Sequence, residues 1–121
     1  MKIYNIECDW NNKYKCDAFI EITIIPSILV GEIVGINLFD KIITTSKCIQ
    51  KQVTRLDKLT DLVCLVHSGY NKATLIEFIK KMHPNIVAWS EQAIYIYTFT
   101  NKYSIDDKMN LTPTERKFYS A

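Results

Sequence analysis

The stretch LVCLVHSGYNKATLIEFIKKMHPNIVAWSEQAIYIYTFT, Leu62 to Thr100, holds the clearest run of periodic signals in the chain, and the fold reading grows from it. Leu62 to Val66 is continuously apolar, as a strand buried on both faces would be, and His67 to Asn71 supplies turn residues. From Lys72 to His83 the pattern becomes helical. Leu75, Ile76, Phe78, Ile79 and Met82 share one face, Glu77, Lys80 and Lys81 the other, and Pro84 stops the helix. Ile86 to Trp89 reads as a second strand, which a strand-helix-strand connection would set parallel to the first. Ala93 to Thr100 alternates as a last strand.

Working toward the N-terminus, Tyr4, Ile6, Cys8 and Trp10 alternate with mostly polar neighbours, and Cys16, Ala18, Ile20, Ile22 and Ile24 do the same. With Asn11-Asn12-Lys13 as a turn, the two strands form an antiparallel hairpin that places Cys8 opposite Cys16. Residues 28 to 45 are rich in Ile and Val and broken by Gly31 and Gly35, which favours one or two strands with a bend. Ile49, Val53, Leu56 and Leu59 recur every three or four residues after Ser46, predicting a short amphipathic helix.

In the other direction, Leu111-Thr112-Pro113-Thr114-Glu115 carries a capping box. A short C-terminal helix is expected there, within a docking tail over residues 103–121 that presents Phe118 and Tyr119. The expected architecture is one α+β domain over residues 1–121: a two-layer sandwich with a mixed, mainly antiparallel sheet, two helices on one face and the C-terminal helix.

Composition bounds the function. A chain of 121 residues, 48% hydrophobic, holds one core, and fifteen cations against thirteen anions leave a net charge of +2. That is too even a balance to draw nucleic acid or a membrane surface from a distance. The first ten residues lack the apolar run of a secretory signal, and Ile24 to Phe39 is too short and too interrupted to span a bilayer. A cytoplasmic setting, the chain's own or a host's, and four reduced cysteines are expected. Abundant Ile, Lys, Asn and Tyr with few Gly and Pro reflect A/T-rich codons, as in many phages, viruses and low-GC bacteria.

Signatures of standard catalysis, metal binding or cofactor binding are missing, which argues against an enzyme and names no catalytic residue, metal or cofactor. Two sites are worth locating. The start of the predicted helix, with His67, Ser68, Gly69, Asn71, Lys72 and Thr74, offers free backbone N–H groups to an anion such as a nucleotide phosphate. Capping by Ser68 or Asn71 accounts for the same residues. Tyr95, Tyr97 and Phe99 alternate along the last strand and would form an aromatic stripe suited to a protein interface if that face is open. The preferred function is therefore a small binding protein, an accessory or inhibitor from a virus or mobile element, that blocks a protein partner by occupying its surface. Self-association would use Phe118 and Tyr119. A nucleotide binder is the first alternative, and a metal-dependent nuclease or phosphotransfer enzyme drawing on Asp57, Asp61 or His67 the second.

Overall fold

The computed structural model describes residues 1–103. Strands β1 (Lys2–Ile6), β2 (Ala18–Thr23), β3 (Ile33–Leu38), β4 (Lys41–Thr54) and β5 (Ile94–Thr100) form a single sheet in the order β1-β3-β4-β5-β2. Only β1 and β3 run parallel; the other pairs are antiparallel. Helices α1 (Asp61–Ser68) and α2 (Lys72–Met82) lie between β4 and β5 in the chain. The protein is of the α+β class with a mixed, mainly antiparallel sheet, as its sequence predicts. The C-terminal helix, Phe118 and Tyr119 lie outside the described residues.

The sheet curls strongly. Strands β1 and β5 are three ladder spacings apart, roughly 14 Å if flat, yet the rings of Tyr4 and Phe99 approach to 6.2 Å. Tyr4, Ile6, Val34, Ile36, Cys48, Phe19, Tyr97 and Phe99 fill the concave face, with Tyr14 and Ile28 closing it. The convex face packs Ile20, Ile22, Ile94 and Ile96 against Leu75, Ile79 and Cys64 of the helices, together with Leu56 and Leu59. Alternation along β5 thus feeds two cores, one on each side, and the strand is buried on both faces.

Three sequence expectations are corrected. Leu62 to Val66 lies in helix α1, where Thr60 accepts a hydrogen bond from the Val63 N–H at 3.2 Å and Gly69 ends the helix at φ 82°. A run of five apolar residues fits either a helix or a buried strand by periodicity, and the two termini decide it. With no strand before α2, the strand-helix-strand unit disappears, and Ile86 to Trp89 forms turns and irregular chain.

The second correction concerns the hairpin, because β1 and β2 occupy opposite edges of the sheet and do not pair. Between them Trp10–Lys15 is a 3-10 segment in which Asn11 and Asn12 take left-handed φ values of 56° and 55°, a conformation Asn tolerates. Cys8 and Cys16 are consequently not opposed, and all four cysteines are free thiols. Third, the helix expected after Ser46 is the second half of the 14-residue strand β4. A register shift between Cys48 and Gln50 leaves Ile49 as an extra residue. Such a bulge breaks the two-residue alternation, so Ile49, Val53 and Leu56 mimic helical spacing. The strands expected over residues 28–45 are found there: the segment contains β3 and the start of β4, joined by a two-residue turn in which Phe39 and Asp40 both have positive φ.

Candidate functional site

On β2, Glu21 points into the concave core and is only 2% exposed. An isolated carboxylate there would be costly, and three donors converge on it. Tyr14 Oη donates to Oε1, Lys13 Nζ stands 3.3 Å from the same oxygen, and Tyr4 Oη lies 3.5 Å from Oε2. Lys13 is itself 6% exposed and also donates to the Ile20 carbonyl. The left-handed Asn11-Asn12 pair is what turns Lys13 and Tyr14 inward behind Trp10. Burial pushes the Glu21 carboxyl upward, with Lys13 and the hydroxyl donors resisting. Burial likewise lowers the Lys13 ammonium against the pull of Glu21, and the Tyr4 and Tyr14 phenols are raised by burial and then by the nearby carboxylate.

Helix α1 brings His67 to the other side of Glu21. Its Nε2 is 3.9 Å from Oε2, and its ring lies 5.1 Å from the Trp10 ring. Burial first, and the Lys13 charge second, lower its pKa to about 3, so the imidazole is neutral at physiological pH. Its Nδ1 is buried with no hydrogen-bond partner among the described residues. In the gap between edge strands β1 and β2 is a cavity of about 200 Å³ whose walls include Tyr4, Glu21, Trp10, His67, Ile79 and Met82. A second, larger cleft of about 480 Å³ shares Trp10 and Met82 and extends to Cys8, Asp9, Tyr70 and Phe78.

The sequence-derived anion site is assembled only in part. Ser68 and His67 face inward, with Ser68 Oγ donating to the Cys64 carbonyl at 3.1 Å. Asn71 caps α2 by accepting from the Thr74 N–H at 2.9 Å, and Asp61 accepts from the Lys72 N–H at 2.9 Å. Lys72 Nζ donates to the Asp57 carbonyl at 2.6 Å. Two donors of the helix start are therefore engaged within the protein, one of them by the Asp61 carboxylate, which stands where an anion would bind. Asp57, Asp61 and His67 do not converge: among the described residues, no three His, Cys, Asp or Glu side chains are grouped as a metal site needs.

The aromatic stripe is a further correction. Tyr97 and Phe99 are fully buried, and Tyr97 Oη donates to the Ile25 carbonyl at 2.6 Å. Tyr95 is half-buried, stacked 6.2 Å from Tyr97 beneath the Lys51 ammonium. Because the sheet curls, its concave face is an interior rather than an open platform. Exposed apolar residues occur at several places, Phe39, Val53 and Val87 among them, and three fall together on α1. Leu62 (71% exposed), Leu65 (47%) and Val66 (56%) look outward while Cys64 and His67 look in. Five successive apolar residues wound on a helix cannot all face one side, a consequence hidden by the strand assignment.

Comparison with protein families, curated proteins and solved structures finds no match. No helix among the described residues is long and apolar enough to cross a membrane.

Proposed function

We propose that the chain is a non-enzymatic binding protein whose α1 helix engages a protein partner and blocks it by occupying its surface. The observation that supports this is the outward placement of Leu62, Leu65 and Val66. Positions i, i+3 and i+4 share a helix face, the spacing by which helices anchor in apolar grooves. Burying such a side chain fully contributes about 1.5–3 kcal/mol, so the three supply part of what association costs and the surrounding contact supplies the rest. The occupant is a partner protein with an apolar groove one helix wide, and the A/T-biased composition fits an accessory protein of a virus or mobile element.

A photo-crosslinking residue placed at Leu65, compared with one at the exposed Glu77 of α2, tests the reading in cells of a low-GC host. The expected result is one crosslinked partner specific to the Leu65 position and lost on adding Leu62→Asp. Equal crosslinking at both positions, or a Leu65 crosslink to this chain's own residues 104–121, would overturn it.

A further inference from the structure

Strand β4 outruns its neighbour on one side. Pairing with β3 covers Lys41 to Lys47, and past it Cys48 donates to the Glu32 carbonyl at 2.8 Å and accepts from the Gly31 N–H at 2.7 Å. From Gln50 to Thr54 the strand pairs with β5 alone. Two fixed points give the direction of its backbone groups. Cys48 bonds away from β5, and Asn101 donates to the Asp17 carbonyl, so odd-numbered residues of β5 bond toward β2 and even-numbered ones toward β4. Gln50, Gln52 and Thr54, opposite Thr98, Ile96 and Ile94, therefore bond to β5, whereas Lys51 and Val53 turn their N–H and C=O groups outward. No backbone group among the described residues meets them.

A free edge is a template for another strand, and a lysine on it commonly bars the approach. Lys51 is tied back instead: its ammonium lies 5.3 Å from the Tyr95 ring centroid and donates to the Pro26 carbonyl at 2.6 Å. Ile49 and Val53 on the edge are exposed, as is Val30, next in the chain to the Gly31 that bonds Cys48. The sequence of the edge selects its occupant. With outward groups at Lys51 and Val53, a second copy of the same strand can pair antiparallel about a two-fold axis at Lys51, Gln52 or Val53. An axis at Lys51 opposes two ammonium groups, and one at Val53 sets Lys51 against Arg55 of the second copy, both unfavourable. An axis at Gln52 sets Lys51 opposite Val53 of the second copy, Gln50 opposite Thr54, and glutamine opposite glutamine. Every outward N–H and C=O then has its counterpart and no like charges are opposed. We propose that the protein forms a symmetric dimer by antiparallel pairing of its β4 edges about Gln52, joining the two sheets into one. This contact is separate from α1 and does not depend on the role given to that helix.

The test uses the full chain in a Cys16→Ser background, which removes the exposed native thiol and should itself give no covalent dimer. Opposed residues of a pair that exchanges no hydrogen bonds have Cα atoms about 4.5 Å apart, within reach of a disulfide. Gln52→Cys should therefore oxidise to a covalent dimer. Gln50→Cys alone should not, because the offset between positions 50 and 54 holds it about 13 Å from its own copy; mixed with Thr54→Cys it should crosslink. Val53→Pro removes an N–H that bonds nothing within the chain, so the protein should stay folded and sediment as a monomer where the parent sediments as a dimer. Gln52→Lys opposes two ammonium groups at the axis and should do the same, which guards against a folding defect in the proline variant. Leu65→Gln on α1 should leave the dimer unchanged. A parent chain that sediments as a monomer at every soluble concentration and gives no Gln52→Cys crosslink overturns the proposal. Equal crosslinking of Gln50→Cys alone, or a dimer that survives both Val53→Pro and Gln52→Lys, overturns it too, by placing the contact in another register or on another surface.

Discussion

The concave side of the sheet is closed by the curl of its own strands and by Tyr14 and Ile28, whereas the convex side depends on two short helices that cover part of it. On the closed side even a buried carboxylate is matched, since Glu21 meets Lys13 and two tyrosine hydroxyls. The helix side leaves apolar residues in water on α1 and an unmatched imidazole nitrogen at the seam with β1 and β2. The proposed binding role rests on the side where the molecule has not completed its own contacts.

The largest effect expected from breaking the closed side is at Glu21. Replacing it with Leu strands the Lys13 ammonium in the core and should cost about 3–5 kcal/mol in urea unfolding. Adding Lys13→Met should recover most of that loss, because the penalty comes from the unpaired charge. A single-variant loss below about 1 kcal/mol would show that water reaches the cluster. Of similar size is Tyr97→Ala, with an expected loss of about 3–5 kcal/mol for deleting a fully buried aromatic. Tyr95→Ala should cost distinctly less, since the ring is half-buried. Equal, small losses at both would mean that the stripe is an open surface after all.

How far the fold could be read from sequence follows the same division. Helix α2 was legible because Asn71, its apolar face and Pro84 agree, and β5 because nothing interrupts its alternation. The Thr60 cap and Gly69 stop around α1 were equally present, but the Leu62–Val66 run satisfies both periodicities and hid them. Curling brings Tyr4 and Glu21 together from strands at opposite edges, and no local pattern encodes such a contact. The lone Glu21 between Ile20 and Ile22 resembled a solvent-facing residue of an ordinary half-buried strand. Its partners Lys13 and Tyr14 sit at the end of, and just after, what read as a hairpin turn. Of the buried cluster, only His67 was singled out in advance, as part of an anion site.

Acid separates the two sides further. His67 has a folded pKa of about 3 against 6.5 unfolded, so between these values the unfolded chain holds a proton that the folded chain does not. Stability from this group is complete above pH 6.5 and is lost as pH falls, by about 3 kcal/mol at pH 4. Glu21 acts in the opposite sense: its raised pKa contributes stability at low pH that is lost as pH rises through the folded value. The difference between wild type and His67→Phe, followed by urea unfolding from pH 7 to 4, isolates the histidine. Parallel curves would mean that the imidazole takes up a proton in the folded state. A smaller loss, about 1 kcal/mol each, is expected for Thr60→Ala and Asn71→Ala, which remove the N-caps of α1 and α2.

The smallest expected change bears most directly on function. Leu65→Gln replaces an outward side chain on α1, 47% exposed, with a polar one of similar helix propensity. If water covers that face in the isolated protein, stability should change by less than about 0.5 kcal/mol. Partner binding should nevertheless fall sharply, because an anchor would be lost from the helix face. A loss of about 2 kcal/mol or more in the urea midpoint analysis would carry the opposite meaning: Leu65 would be packed in the free protein, as a core leucine is. Repeating the measurement at two protein concentrations assigns such a cover, since a second copy makes the loss concentration-dependent and residues 104–121 of the same chain do not. Either cover would remove the surface on which the proposed partner capture rests.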